Sequence, residues 1–352
     1  WEWLLNLETS KSVSQKTGWQ PLYFLLYLDK ELHGIAPLFL KNHSYGEFIF
    51  DQSFARLAQD LNLAYYPKLI GMSPYSPIEG YQFIYKENSN KQEITEMLLN
   101  YIEVFATKNN ILSCNFLYID KEWEKLLNKY NYHKWINIRS QWESIGEENF
   151  EEFLNRFNSN QRKNIKKERK SINNQKINIK IFTGENINED LMNSMHFFYE
   201  QHCLRWGVWG SKYLTDDFFK NSLKTKENLI IFSAFEESST KPIAMSMCIK
   251  NKENLWGRYW GSLKEINYLH FELCYYQPIE WAIKNKIKYF DPGAGGQHKR
   301  RRGFYAKGTN SLHKWFNNNM ENIIVQWLNK VNKETLNSIK DENDSIPFKN
   351  IM

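Results

Sequence analysis

The feature that most constrains the fold of this chain is an order of strand-like and helix-like segments that occurs twice. In the first half, apolar segments at 22–28 and 34–41 form a predicted hairpin, and helical segments and further strands follow it. After a basic helix that begins near Phe150, the second half repeats a strand pair, a helix and a further strand. The repetition predicts an α/β fold made of two similar units of about 150 residues each.

The length of the chain also favours two domains. At 352 residues it exceeds what one hydrophobic core usually supports. We predict an N-terminal domain over 1–145, a C-terminal domain carrying the donor site over 146–330, and a polar, disordered tail over 331–352. An apolar fraction of 42% and an aromatic fraction of 16% supply enough material for a sizeable core.

The composition excludes several classes of protein. The four cysteines are widely spaced and form no zinc-type grouping with histidine, so we predict neither a disulfide scaffold nor a metal site. No apolar run approaches the roughly 20 residues that cross a bilayer, and the N-terminus does not resemble a signal peptide, so we expect a cytoplasmic protein. The formal net charge of +6 suits an anionic partner, although only local clusters of charge are informative in so lysine-rich a chain.

A glycine-rich, cationic segment follows the last predicted strand of the second half. It reads YFDPGAGGQHKRRRGF over 289–304. It matches neither a dinucleotide-binding motif nor a P-loop, because His298 stands at the sixth position of the glycine pattern and no apolar helix follows. The small residues predict an irregular loop that lets a ligand or another segment approach the backbone, and a plain surface turn is an equally good interpretation.

The segment before this loop contains half of a known motif. Residues 257–293 run strand, loop, amphipathic helix, strand, and they resemble the cofactor-binding half of the GNAT acyltransferase fold. In that fold, R/Q-x-x-G-x-G/A holds the pyrophosphate of coenzyme A on backbone amides. Arg258 and Gly261 match the motif, and Leu263 does not.

Several separate motifs resemble one family. The segments LHFELCYYQPIEWAIKNKIKYFDPGAGGQHKRRRGF, SNQRKNIKKERK, GIAPLFLKNHSYGEFIFD and YYPKL resemble the FemAB-like N-acyltransferases of peptidoglycan biosynthesis/recognition, a branch of the GNAT superfamily. The resemblance covers roughly 18–316 and implies two tandem GNAT-like domains, with mixed sheets flanked by helices. It also implies a cleft in which an activated acyl group passes to an amine. Two positions depart from the family pattern: Gln297 replaces a glutamate, which removes a carboxylate, and Pro278 replaces a glycine and is expected to bend its helix.

Three residues near the loop are candidates for acid–base catalysis. Acyl transfer to an amine needs a base that takes the amine proton and a donor for the developing oxyanion. His270 and Glu272 are two apart on a predicted helix and therefore point to different faces, whereas His298 lies on the loop. A capping role at the helix start is the more ordinary interpretation of Glu272, and for His298 a surface position and a catalytic one are equally good.

The remaining candidate residues are cationic, small or aromatic. For the acyl donor, a coenzyme A thioester or an acyl carrier protein, the candidates are Arg258, Gly261, Ser262, Arg162, Lys166 and Lys299. For the acceptor, they are Tyr259, Trp260, Trp206, Arg205, Tyr276 and Gln297. Each has an ordinary structural interpretation as well: a solvated helix face for the cations and core packing for the aromatics.

These observations predict an N-acyltransferase of the GNAT superfamily. It would move an acyl group from a carrier thioester, with acyl-CoA as the first candidate, to an amine of a peptide or cell-envelope precursor. A first alternative is a Fem-type aminoacyltransferase that uses aminoacyl-tRNA, favoured by the bulk of Leu263 where coenzyme A pyrophosphate would bind. A second alternative is a non-catalytic module that recognises peptide or glycan.

Overall fold

The computed structural model describes residues 1–127, 129–205 and 211–349. Its strands are β1 (Trp19–Leu28), β2 (Glu31–Lys41), β3 (Lys68–Gly71), β4 (Ile84–Tyr85), β5 (Ser113–Phe116), β6 (His133–Glu143), β7 (Ile177–Thr183), β8 (Leu229–Glu236), β9 (Pro242–Lys250), β10 (Asn254–Ser262), β11 (Tyr289–Asp291) and β12 (Tyr305–Trp315). Its helices are α1 (Glu2–Thr9), α2 (Gln52–Asp60), α3 (Lys91–Lys108), α4 (Lys121–Leu127), α5 (Phe150–Asn155), α6 (Ser159–Asn174), α7 (Glu189–Arg205), α8 (Asp216–Asn221), α9 (Leu269–Phe271), α10 (Gln277–Lys284) and α11 (Asn318–Asp344). The predicted fold class, α/β with mixed sheets flanked by helices, is confirmed.

The first unit consists of Lys11–Ile138 and Gly308–Ser338. Its strands follow the order β1, β2, β3, β5 and β12, and β4 also pairs with β2. The predicted hairpin is present, because β1 and β2 pair in antiparallel register, whereas β3 and β5 are parallel. Helix α3 buries Ile94, Leu98 and Ile102 against the sheet, as the helical spacing of its apolar residues predicts.

The second unit consists of Trp1–Ser10, Arg139–Lys307 and the described residues from Ile339 onward. Its strands follow the order β6, β11, β10, β9, β8 and β7. Only β10 and β11 run parallel among the pairings described for these strands, and their buried residues form one core with α5, α6 and α10. The units of the structure therefore differ from the predicted contiguous domains, 1–145 and 146–330. Each unit combines segments that are distant in sequence.

Three predicted elements differ from the structure. The single helix predicted over 150–171 is two helices, because Asn158 caps a new helix by accepting a hydrogen bond from the backbone of Gln161. The helix predicted over 269–286 contains a π-helical segment, Glu272–Tyr276, between α9 and α10. The disorder predicted from residue 331 is wrong as far as Asp344, because α11 continues to that residue. None of the described helices is both long enough and apolar enough to cross a membrane.

Candidate functional site

A bulge in β10 lies beside the end of β11 in the second unit. The two strands pair in parallel as far as Trp256 and Asp291. Directly after this point the pairing of β10 with β9 shifts register at Arg258, which forms a β-bulge. A Cβ added to Gly293 would lie 3.4 Å from the carbonyl oxygen of Gly257. The glycine-rich loop therefore begins against the bulge.

Lys299 holds this loop from the inside. Its side chain is 2% exposed, and its Nζ donates to the carbonyl oxygens of Gly293 at 2.7 Å and Ala294 at 3.1 Å. The carboxylate of Asp291 accepts a hydrogen bond from the Gly293 amide at 2.8 Å. Burial lowers the pKa of Lys299 to about 8, so the side chain remains mostly charged at neutral pH. A buried cation thus sets the path of the loop.

His298 is paired with a tyrosine of the π-helical segment. Its Nε2 lies 2.9 Å from the hydroxyl of Tyr275, and the ring of Phe271 packs against the imidazole at a centroid distance of 5.4 Å. Burial lowers the pKa of His298, and the charges of Arg302 and Lys299 act in the same direction. Burial also raises the pKa of Tyr275, so the hydroxyl keeps its proton. At neutral pH the pair is therefore an uncharged imidazole and a protonated phenol joined by a hydrogen bond, whose donor depends on the tautomer of the imidazole.

The structure separates His270 from Glu272, the other two predicted catalytic residues. His270 packs edge-on against Trp260 and Tyr275, at centroid distances of 5.2 Å for both, and burial lowers its pKa to about 3. Glu272 is buried and accepts hydrogen bonds from Arg169 Nη2 at 3.0 Å and from the side chain of Gln277. The carboxylate of Glu272 is therefore held in an ion pair, which favours its structural interpretation over that of a free base.

Packing accounts for the glycine of the partial coenzyme A motif. A Cβ added to Gly261 would lie 1.9 Å from the carbonyl oxygen of Phe198, so the close approach of α7 to β10 requires glycine there. The hydroxyl of Ser262 donates to the Lys264 carbonyl oxygen at 2.6 Å, and the Ser262 carbonyl oxygen accepts from Arg205 Nη2 at 2.6 Å. Gly261 and Ser262 thus belong to the contact between α7 and β10.

The other predicted donor residues lie at two places. Arg162 donates to the side chain of Asn155 at 3.2 Å, and Lys166 is paired with Glu151 at 2.6 Å on the exposed face of α6. Lys166 also lines a groove with a volume of about 470 Å³ between α6 and β7. Of the six predicted residues, Arg258 and Lys299 are the two beside the glycine-rich loop.

The predicted acceptor residues do not form one cluster. Tyr259 packs among aromatic rings, with Tyr199 at 5.5 Å and Phe219 at 5.8 Å between centroids. The hydroxyl of Tyr276 donates to Glu168, which also binds Arg302. Trp260 packs on His270, and Arg205 binds the backbone of β10. Gln297 begins a 3₁₀ turn, and Trp206 lies outside the described residues.

Tyr275 and Asp291, the neighbours of His298 and Lys299, were not predicted as site residues from the sequence. No local pattern marks either residue, because each acquires its role through a contact with the loop. Tyr275 belongs to a π-helical segment, a distortion that occurs often at functional sites and that sequence periodicity does not predict.

The first unit contains a buried ionic network to which the sequence alone assigns no role. Lys68 is fully buried, and its Nζ donates to Glu47 at 2.8 Å, to Asp51, and to the hydroxyl of Ser44 at 2.8 Å. Although burial opposes the charge, the two carboxylates raise the pKa of Lys68. Burial raises the pKa of Glu47 to about 7. The network is a cluster of ionisable groups within the first unit.

Comparison with known proteins agrees with this architecture. FemX is 12% identical, with a TM-score of 0.53 over 92% of this chain and 93% of that chain. L-PGS from Bacillus licheniformis is 8% identical, with a TM-score of 0.53 over 93% of this chain and 96% of that chain. At such identities the likeness concerns the fold alone. A tandem GNAT protein from the clavulanic acid biosynthesis pathway is 7% identical, with a TM-score of 0.42 over 85% of this chain and 83% of that chain.

Comparison of the sequence with curated proteins gives no match. A family model does match, over residues 1–350, and its description is peptidoglycan biosynthesis/recognition. This match spans nearly the whole chain and both structural units. The chain therefore belongs to the FemAB-like family.

Proposed function

We propose that this protein transfers an acyl or aminoacyl group from a carrier to an amine of a peptide or cell-envelope precursor. The observation that carries the proposal is the uncharged pair of His298, on the glycine-rich loop, and Tyr275, in the π-helical segment, beside the β10 bulge. Membership of the FemAB-like family supports a substrate related to peptidoglycan. The reaction would take place beside the glycine-rich loop of the second unit.

The residues at the loop supply the groups that amide formation needs. The amine nitrogen attacks the carbonyl carbon of the donor, an amide bond forms, and the C–S or C–O bond to the carrier breaks. The oxyanion that develops on the donor carbonyl needs a hydrogen-bond donor, and we assign this role to the backbone N–H groups at the β10 bulge. His298 takes the proton of the attacking amine and returns it to the leaving sulfur or oxygen of the carrier.

The donor is either an acyl-CoA or an aminoacyl-tRNA. Packing against α7 explains the glycine of the coenzyme A motif, so the motif no longer supports acyl-CoA as the donor. Lys163, Lys167 and Lys170 are exposed on α6, and a row of exposed cations favours a large polyanionic carrier such as tRNA. We therefore keep acyl-CoA as one donor and place aminoacyl-tRNA beside it as an equal candidate.

A transfer assay with both donors tests the proposal. The purified protein is incubated with acyl-CoA or aminoacyl-tRNA and with a peptidoglycan-precursor peptide that carries a free amine, and the amide product is measured by mass spectrometry. We expect product with one donor, and a rate loss of about 100-fold for His298→Gln. His33→Gln, a half-buried histidine of the first unit, is the control and should keep the full rate. Absence of product with both donors, or an unchanged rate in His298→Gln, would refute the proposal.

A further inference from the structure

The carboxylate of Glu168, on α6, binds two residues that flank the pair of His298 and Tyr275. Its two oxygens accept hydrogen bonds from Nη2 of Arg302 at 3.0 Å and 2.8 Å, and one of them also accepts from the hydroxyl of Tyr276. Arg302 lies four residues after His298, and Tyr276 directly follows Tyr275. One carboxylate therefore contacts both the glycine-rich loop and the π-helical segment.

Arg302 contacts His298 in two ways. Its Nη1 donates to the carbonyl oxygen of His298 at 3.0 Å. Its guanidinium carbon lies 3.4 Å from the centroid of the Phe271 ring, a cation–π contact. The Phe271 ring in turn packs on the imidazole of His298 at 5.4 Å and stacks on Tyr275 at 5.9 Å, both between centroids. Arg302 thus holds the backbone of His298 directly and its side chain through one aromatic ring.

Helix α6 also holds the two ends of the π-helical segment. The segment begins at Glu272, which accepts a hydrogen bond from Arg169 Nη2 at 3.0 Å, and it ends at Tyr276, which donates to Glu168. Arg169 and Glu168 are consecutive residues of α6. Because a π-helical turn changes which residues share a helix face, contacts at its two ends fix the direction in which Tyr275 points.

The position of Arg302 depends on the carboxylate of Glu168. The Arg302 side chain is 5% exposed, and among the ion pairs of the described residues its partner is Glu168. Its Nε is shielded from solvent and has no acceptor within hydrogen-bond distance in the described part of the chain. A buried cation that loses its anion is strongly destabilised. Without the charge of Glu168, we expect the guanidinium to move toward water and to leave the His298 carbonyl oxygen and the Phe271 ring.

We propose that Glu168 is a positioning residue: it holds Arg302 against His298 and Tyr276 beside Tyr275, and so fixes both members of the pair with one carboxylate. The inference rests on the proposed function, because it assigns to Glu168 an effect on proton transfer at His298. Glu168 acts through Arg302 and Tyr276, so its loss should change the orientation and proton affinity of His298, and should lower kcat more than it changes KM.

The imidazole of His298 reports on positioning without turnover. The full chain is labelled with ¹⁵N-histidine, and the ring nitrogens of His298, identified by their absence in His298→Gln, are followed by NMR through a pH titration. The titratable and charged groups that face this ring are Tyr275, His270, Arg302 and Lys299. We expect the wild-type ring to hold one tautomer and to titrate with a midpoint below the ordinary histidine pKa of about 6.5.

Glu168→Gln should release this ring. The substitution keeps the size of the side chain and removes its charge, so Arg302 loses its anion and water reaches His298. We expect the two tautomers to mix and the midpoint to rise toward about 6.5, and kcat of transfer to fall about tenfold with a smaller change in KM. Glu168→Asp keeps the charge and should retain part of both wild-type values. The matched control is Glu237→Gln, which breaks an exposed pair with Lys176 at 2.8 Å and should change neither.

A second variant keeps the test decisive if loss of the carboxylate unfolds the protein. Arg302→Lys leaves a cation beside Glu168, but lysine lacks the planar guanidinium that contacts His298 and Phe271 together. Its melting temperature should therefore stay closer to that of the wild-type protein, while the midpoint of His298 rises as in Glu168→Gln. Thermal unfolding establishes that each variant is folded at the temperature of the titration.

The outcomes separate the positioning role from the proposed function. An unchanged midpoint and tautomer of His298 in the folded variants would refute the role of Glu168. A midpoint that falls in Glu168→Gln would refute it as well, because Arg302 would then remain in place and Glu168 would act on His298 through its charge alone. If the NMR changes occur and the wild-type protein has no transfer activity, the proposed function alone is refuted. If transfer occurs and Glu168→Gln keeps the wild-type kcat, the positioning role alone is refuted.

Discussion

The hydroxyl of Tyr275 lies 2.9 Å from Nε2 of His298, so the π-helical segment and the glycine-rich loop meet at a single hydrogen bond. A π-helical turn changes which residues share a helix face, and here it brings a phenol to an imidazole that the loop presents. The bond holds the orientation of His298, and in the proposed reaction it would let Tyr275 take part in proton transfer.

Replacing Tyr275 with phenylalanine tests this bond. Tyr275→Phe keeps the ring that packs on His298 and removes only the hydroxyl. We expect kcat of the transfer reaction to fall about tenfold or more, with a smaller change in KM, because the hydroxyl acts on the proton and not on substrate binding. Steady-state kinetics measure both constants, and an unchanged kcat would exclude a role for Tyr275.

The pH dependence of transfer should report on His298. Burial, Arg302 and Lys299 lower the pKa of His298 below its ordinary value, so the neutral, proton-accepting form persists to more acidic pH than in an isolated histidine. The acceptor amine and Lys299 titrate above neutrality, and they should do so equally in the wild-type protein and in His298→Gln. We expect an additional acidic limb that is present only in the wild-type protein, with a midpoint below the ordinary histidine pKa of about 6.5. Absence of that difference, or a midpoint of the additional limb above about 6.5, would contradict the assignment.

His313 should make the protein sensitive to acid. It is buried, its ring nitrogens lie 2.7 Å from Asn115 and 2.8 Å from Ser311, and burial lowers its pKa to about 3. The unfolded chain binds the proton at about pH 6.5, so the free energy of unfolding decreases as the pH falls from there toward 3, by about 2 kcal/mol between pH 7 and pH 5.

Denaturant unfolding at the two pH values measures this effect. His313→Gln should remove about 2 kcal/mol of the difference in unfolding free energy between pH 7 and pH 5, whatever its effect at pH 7. An equally large pH dependence in the variant would show that other groups cause the acid sensitivity.

Removal of Lys68 should destabilise the first unit strongly. Lys68→Met leaves Glu47 and Asp51 buried without their cation, which costs about 3–5 kcal/mol of unfolding free energy at neutral pH. The loss should shrink as the pH falls and the carboxylates become protonated. Lys125→Met, which breaks the exposed pair with Glu122, is the matched control and should change the unfolding free energy little. Equal effects of the two substitutions would mean that burial of the network does not contribute to the free energy of unfolding.

Gly261→Ala distinguishes packing from cofactor binding. The added methyl group would lie 1.9 Å from the Phe198 carbonyl oxygen, so the unfolding free energy should fall by about 1–3 kcal/mol or more. For folded protein, the KM for the donor should stay unchanged. Gly295→Ala is the comparison: it meets no atom within 4 Å, and its positive φ alone should cost about 1 kcal/mol. If Gly261→Ala had normal stability and a much higher KM for the donor, Gly261 would be assigned to coenzyme A binding instead of packing.

The sequence was informative where structure depends on local pattern. Alternating apolar residues predicted the β1–β2 hairpin, and helical spacing predicted α3. The end of the chain shows the limit of that approach, because α11 is held there by distant partners. Glu342 is paired with Arg300 at 2.8 Å, and the side chain of Asn343 bonds to both backbone groups of Ala306. A composition typical of disorder therefore belongs to a docked helix.

The residues of the candidate site could likewise be predicted only in part from the sequence. His298 and Lys299 could be named because the glycine-rich loop is visible in the sequence, and Arg258 because half a motif surrounds it. Their partners could not be named from the sequence. Tyr275 contacts His298 from a distorted segment of helix, and the carboxylate of Asp291 contacts the loop at the backbone amide of Gly293. Glu272 was also a candidate for catalysis, although a capping role was its more ordinary interpretation, and the ion pair with Arg169 shows how it is used.

The interleaving of the two units has a consequence for how this protein is made. Residues 308–338 complete the first unit and those from Ile339 onward the second, so on a ribosome neither unit has all its parts until these residues have emerged. We expect the nascent polypeptide to rely on chaperones for most of its translation time. Expression of the halves on either side of residue 145 should yield insoluble fragments instead of two working domains.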